Sequence, residues 1–174
     1  FSNLNLELEE VTTHHSDVEA ALRKYYLPDG ERAFLPAKFV GYTKQELYSE
    51  FCARIEELEQ TSSLTLLSSL EASLRIDYLN RCDRKKKDDL SREFRLIYKK
   101  QQSNISLEDG ILEAWKRHCP ELNALISEVI AVFKYRHWLA HGRYWKPKLG
   151  RKYDYSYIYS LTKLVYDRLP LLRQ

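Results

Sequence analysis

Apolar residues recur at helical spacing along nearly the whole chain, and most of these stripes open on a capping signal. In Thr43-Lys44-Gln45-Glu46 the threonine and the glutamate three residues on can satisfy each other's backbone N–H groups. Leu47, Phe51, Ile55 and Leu58 then fall on one face, which predicts a helix over 44–60. Thr61-Ser62-Ser63 interrupts the pattern, and Leu67, Leu70, Leu74 and Tyr78 mark a second helix over 64–82. Leu90, Phe94, Ile97 and Tyr98 predict a third over 86–101. Ser106 to Asp109 caps a short one running through His118, with Ile111, Leu112 and Trp115 inside it.

Pro120 fits the first turn of the following helix, whose stripe is Leu122, Leu125, Ile126, Val129, Val132 and Phe133. Gly142 then stops it as a C-cap glycine. Asp154 opens a last helix carrying Ile158, Leu161, Val165 and Leu169. The alternation of Tyr153, Tyr155, Tyr157 and Tyr159 is also compatible with a short strand, but the downstream stripe favours helix. Near the N-terminus, Ser16-Asp17-Val18-Glu19 is a capping box followed by Ala21, Leu22 and Tyr25 at helical spacing. The segment 27–42, with Pro28, Gly30, Pro36 and Gly41, has no period and reads as a loop. The expected fold class is therefore an all-α bundle. Residues 1–40 form an N-terminal extension and loop with one short helix, and 41–174 form the helical domain. Only 5 Gly and 5 Pro argue against a turn-rich sandwich or barrel.

At 174 residues, with 44% hydrophobic and 30% charged side chains, the chain is that of a globular domain with a real core. It has no run of about eighteen uncharged apolar residues. The acidic start of the chain lacks the apolar core of a secretory leader. A chain that opens on Phe1 and contains no methionine reads as a piece of a longer protein. Cys52, Cys82 and Cys119 are odd in number and form no CxxC pair, which fits free thiols in a cytoplasm.

The net charge of +3 does not by itself announce a nucleic-acid binder. Its distribution is uneven. Residues 143–152 hold five basic side chains and no acid, with Tyr144 and Trp145 between them. A second basic cluster, Arg81 with Arg84 to Lys87, is followed at once by Asp88 and Asp89.

The stripe of the 121–141 helix, continued by its own period, reaches Arg136. A guanidinium on an apolar face needs carboxylate, phosphate or carbonyl partners, because an unpaired buried charge is very costly. One solution is an internal ion pair to Glu71 or Asp77; another is a phosphate. His141 follows five residues later, at the end of the helix. It is either a proton-transfer group working near neutrality or a histidine favoured at a helix C-terminus by the dipole.

Arg136-His137-Trp138-Leu139-Ala140-His141-Gly142 resembles the signature of the HEPN superfamily, an arginine, usually a polar residue, then a histidine after four to six intervening positions. That signature lies on the penultimate helix of an α-helical bundle, and the resemblance covers about residues 40–172. It implies a HEPN-like bundle and a metal-independent endoribonuclease, often a toxin or antiphage effector, with its active site at a symmetric dimer interface. Carried over, Arg136 holds the scissile phosphate and stabilises the transition state. His141 acts as base or acid for attack by the 2′-hydroxyl, giving a 2′,3′-cyclic phosphate, and His137 orients the phosphate. No cofactor is implied. The implied partners are RNA, a second copy of the chain, and a cognate antitoxin or a nucleotidyltransferase, with no membrane. Members often add an acidic or polar residue from an earlier helix, for which Glu46, Glu50, Glu71 and Asp77 are the candidates.

Arg143, Tyr144, Lys146 and Lys148 are suited to stack on and attract single-stranded RNA, and equally to form a plain solvated loop. Three other readings compete. His137 and His141 share a helix face as paired zinc ligands would, with a third ligand from His118, Cys119 or an acid. No glutamate stands between them, so the metalloprotease form fails. A catalytically silent domain of the same fold would serve as a binding or scaffold module. A helix-turn-helix DNA reader is least favoured, because no short glycine-containing turn joins two compact helices.

Overall fold

The computed structural model describes residues 6–28, 36–145 and 148–172, and these are helical without a strand. Six α-helices occur among them: α1 (Leu8–Tyr26), α2 (Lys44–Asp83), α3 (Asp89–Gln101), α4 (Glu113–His118), α5 (Asn123–Ala140) and α6 (Tyr155–Arg168). Short 3₁₀ turns at Ala37–Phe39 and Pro120–Leu122 and a π turn at Leu107–Leu112 complete the chain path.

The largest departure from the sequence reading is α2. Thr61-Ser62-Ser63 does not break it, and 40 residues run as one helix, about 60 Å long at 1.5 Å per residue. Serine and threonine cost a helix only a few tenths of a kcal/mol each, and here the threonine hydroxyls bond back to carbonyls of the same helix. Thr61 donates to the Glu57 carbonyl at 2.9 Å and Thr65 to the Thr61 carbonyl at 3.0 Å. Ser62 and Ser63 are buried, so the small residues mark a packed face and no chain break. Further along, Ser73 and the Tyr166 hydroxyl of α6 lie 3.2 Å apart.

Helix α1 also differs. It starts eight residues before the expected capping box, with the Glu10 carboxylate accepting the Glu7 N–H at 2.7 Å. Tertiary packing accounts for the extra turns. Val11 joins the core with Leu66 and Leu70, and His15 stacks on Tyr155 at 3.8 Å between ring centroids. At its other end Tyr26 packs with Phe39 and Phe51 in a second, smaller cluster.

The main core holds the expected stripes: Leu67, Leu70, Leu74 and Tyr78 of α2, Phe94 of α3, Ile126, Val129 and Val132 of α5, and Ile158 and Val165 of α6 are all buried. Asp154 caps α6 through the Tyr157 N–H at 2.8 Å, so the tyrosine alternation is helical. Behind the core a buried ionic network ties down the C-terminal segment. Arg81 donates through Nε to both oxygens of Asp77 at 2.8 and 3.0 Å and through Nη2 to the Pro170 carbonyl at 2.8 Å. Asp77 also accepts the Leu172 N–H at 2.8 Å. No helix of the described residues is long and apolar enough to cross a membrane.

Three surface glutamates set an acid limit. Hydrogen bonds from Arg143 to Glu57, from Arg117 to Glu93 and from Tyr26 to Glu50 hold these carboxyls below the ordinary value of 4.5. A depressed carboxylate contributes stability above its unfolded value, and that contribution is lost as pH falls through the folded one. Asp77, raised by burial, runs the other way. The buried His15, held below its ordinary 6.5 by desolvation, begins to cost stability as pH drops below about 6.5, and the melting temperature is expected to fall further below about 4.5 as the glutamates protonate. Glu57→Gln should flatten that fall in thermal melts; an unchanged acid limb in this variant would show that the Arg143 pair carries none of it.

Candidate functional site

The end of α5 follows from local geometry. His141 is the C-cap, its N–H donating to the His137 carbonyl at 3.1 Å. Gly142 takes φ +76°, a left-handed conformation glycine enters without steric cost. Arg143 N–H then reaches back to the Trp138 carbonyl at 3.2 Å, closing the terminal motif. The Trp138 indole N–H donates to the Trp145 carbonyl at 2.7 Å and pins the following loop to the helix.

Within this frame Arg136 reaches α2. Its Nη2 lies 3.2 Å from Glu71 Oε2, and both side chains are only partly exposed. Glu71 also accepts Arg75 Nε at 2.9 Å, so one carboxylate sits between two guanidiniums. The Arg136 Nε is buried and makes no hydrogen bond among the described residues. These side chains line a cleft of about 250 Å³, closed on its far side by Ser106, Leu107 and Glu108. Those three stand at the start of the π turn, a local form frequent at functional sites. His137 lines the same cleft. His141 lies one turn on, exposed, with its ring 4.2 Å from that of His137.

Of the four acids considered for this site, Glu71 is the one that meets Arg136. Glu46 is spent on the α2 N-cap, bonded to the Thr43 N–H at 2.8 Å. Glu50 accepts from Tyr26 at 2.9 Å, and Asp77 is held by Arg81. Arg75, Ser106 and Glu108 were missed from the sequence. Arg75 could have been found from its i,i+4 relation to Glu71; Ser106 and Glu108 carried only a capping signal.

The basic loop is less free than its composition suggests. Arg143 donates to Glu57 at 2.7 Å and 3.1 Å and to Gln60. Arg151 lies 2.8 Å from Glu128 and 3.9 Å from the Tyr157 ring centroid. Tyr144, 85% exposed, and the exposed Lys148 remain open to solvent; Lys146 lies outside the described residues.

As a metal reading, the His137–His141 pair gains no third ligand: among the described residues no group of three His, Cys, Asp or Glu is placed to hold an ion. His118 faces Glu93 at 2.6 Å. Burial pushes the Cys82 thiol up to about 11, which disfavours it as a nucleophile. A larger groove of about 490 Å³ between α5 and α6 is lined by four leucines with Glu121, Glu128 and Arg168 among them and holds no histidine or cysteine, and its Glu128 accepts the Tyr157 hydroxyl at 2.5 Å. Arg75, Arg136 and His137 thus share the α2–α5 cleft, with His141 beside it. The chain matches no family model, no curated protein and no solved structure.

Proposed function

We propose that the chain is a metal-independent endoribonuclease of HEPN type, acting in a cytoplasm as a toxin or antiphage effector. The observation that carries this reading is the placement of Arg136, with a free Nε, on a cleft shared with His137, one helical turn from His141. A guanidinium with unsatisfied donors is suited to a phosphodiester. An imidazole can take a proton from the 2′-hydroxyl or give one to the leaving oxygen. Arg136 would hold the scissile phosphate and His141 would move the proton. His137, against both the cleft and His141, would orient the phosphate. Glu71 would restrain Arg136 until a phosphate displaces it. A second copy of the chain would bring an equivalent Arg136 and His141 to a composite site. A cognate antitoxin or a nucleotidyltransferase is the further partner of this reading.

The Arg136–Glu71 ion pair also favours a second reading, a catalytically silent domain of the same fold that binds RNA, a nucleotide or a protein. Cleavage of total RNA in EDTA separates the two. The wild type is expected to cut, leaving 2′,3′-cyclic phosphate ends, and His141→Ala to leave the RNA intact. RNA left intact by the wild type too would favour the silent module, and equal cutting by both proteins would remove His141 from the mechanism.

A further inference from the structure

A larger group of cations without an ion pair among the described residues lies away from the α5 loop, whose Arg143 and Arg151 are paired. Residues 84–100 carry eight basic side chains against three acids, an excess of five in a chain whose net charge is +3. The three acids are occupied: Asp88 caps α3 and pairs with Arg81, Asp89 pairs with Arg92 at 3.0 Å, and Glu93 meets Arg117 and His118. Among the described residues none of Arg84, Lys85, Lys86, Lys87, Lys99 and Lys100 is in an ion pair.

Of these, Lys85 and Lys99 line a groove of about 450 Å³ between the end of α2 and α3, together with Arg95, Tyr98, Cys82 and one acid, Asp83. Arg95 Nη1 donates to the Lys86 carbonyl at 2.7 Å, folding the 84–87 turn down onto α3. The Tyr98 ring, 40% exposed, stands in the groove.

We propose that this α2–α3 groove is the binding site for a single RNA strand, with phosphates on Lys85 and Lys99 and a base on Tyr98. Cations flanking an open aromatic ring are what a single strand requires, since the charges follow the backbone and the ring takes a base face of any sequence. The groove and the cleft also lie along one face of α2. Glu71, Arg75, Leu79 and Cys82 stand at i, i+4, i+8 and i+11, one stripe of α2. Glu71 and Cys82 are about 16 Å apart along the axis, a distance a short oligonucleotide spans. The choice of RNA as the polyanion rests on the nuclease reading; the location of the site does not depend on cleavage.

The test is fluorescence anisotropy of the full chain with a labelled 2′-O-methyl RNA of about 12 nucleotides, whose blocked 2′-oxygen prevents cleavage. Lys85→Gln with Lys99→Gln is expected to weaken binding at least about tenfold and reduce the salt slope by about 1.4, for two single-strand phosphate contacts. Tyr98→Ala should lose about tenfold and Tyr98→Phe almost nothing. Lys163→Gln, on the exposed side of α6 and in neither basic segment, should stay within about twofold of wild type, since it touches no contact of this site. Groove variants that bind like wild type, a loss confined to Lys163→Gln, or a wild type that binds no RNA would each overturn the proposal. So would Tyr98-independent binding to phosphatidylserine vesicles in place of RNA. Cleavage is scored separately on unmodified RNA. Binding through the groove without cleavage keeps this site and removes the nuclease; cleavage with unaffected groove variants does the reverse.

Discussion

Arg136→Ala is expected to lower RNA cleavage by about 10²–10³-fold, the loss typical of removing one donor to a developing oxyanion. The fold should survive the change. The ion pair to Glu71 is partly exposed, with side chains 30% and 21% accessible, and such pairs contribute about 1 kcal/mol or less. For a chain of this size that is a shift of a few degrees in melting temperature. Glu71→Gln separates positioning from structure. It removes the charge restraining Arg136 while keeping the shape, so KM for RNA should fall while kcat falls or stays level. If Arg136→Ala cuts RNA like wild type, the arginine is an internal ion-pair partner and no more. If both variants unfold at room temperature, the pair is structural and the nuclease reading loses its anchor.

The second large effect concerns stability. Asp77→Ala is expected to cost about 3–5 kcal/mol, because it leaves Arg81 buried without its counter-charge. This corresponds to roughly a 10 °C drop in melting temperature. The Arg81 side chain is 8% exposed and that of Asp77 is fully covered. Burial comes first among the influences on the Asp77 carboxyl and raises it, outweighing the Leu172 N–H and the Arg81 charge. Desolvation thus offsets much of what the pair returns. Replacing both partners, Asp77→Leu with Arg81→Met, should therefore recover most of the loss, and equilibrium denaturation measures it. A single variant within about 1 kcal/mol of wild type would show that the network does not hold the C-terminal segment.

The local pattern of residues was enough to specify the all-helical class and the faces that make the core. Helical period and capping are local properties, and Thr43, Ser106 and Asp154 each cap where expected. It also determined the end of α5, because Gly142 takes its left-handed turn from its own lack of a side chain. Three matters were left to the tertiary structure. The continuity of α2 through Thr61-Ser62-Ser63 depends on burial of small side chains against neighbours far along the chain. The choice of Glu71 over Asp77 for Arg136 depends on which face of α2 meets α5; the helix period allows either, and the buried Arg81 had already taken Asp77. The availability of the basic residues depends on long-range partners. Arg143 is held by Glu57, 86 residues earlier, while the lysines beside Asp88 are in no ion pair among the described residues, because those acids are satisfied by Arg81, Arg92 and Arg117. A charge pattern shows where cations occur in the chain, and only the packed structure settles which of them still lack a partner.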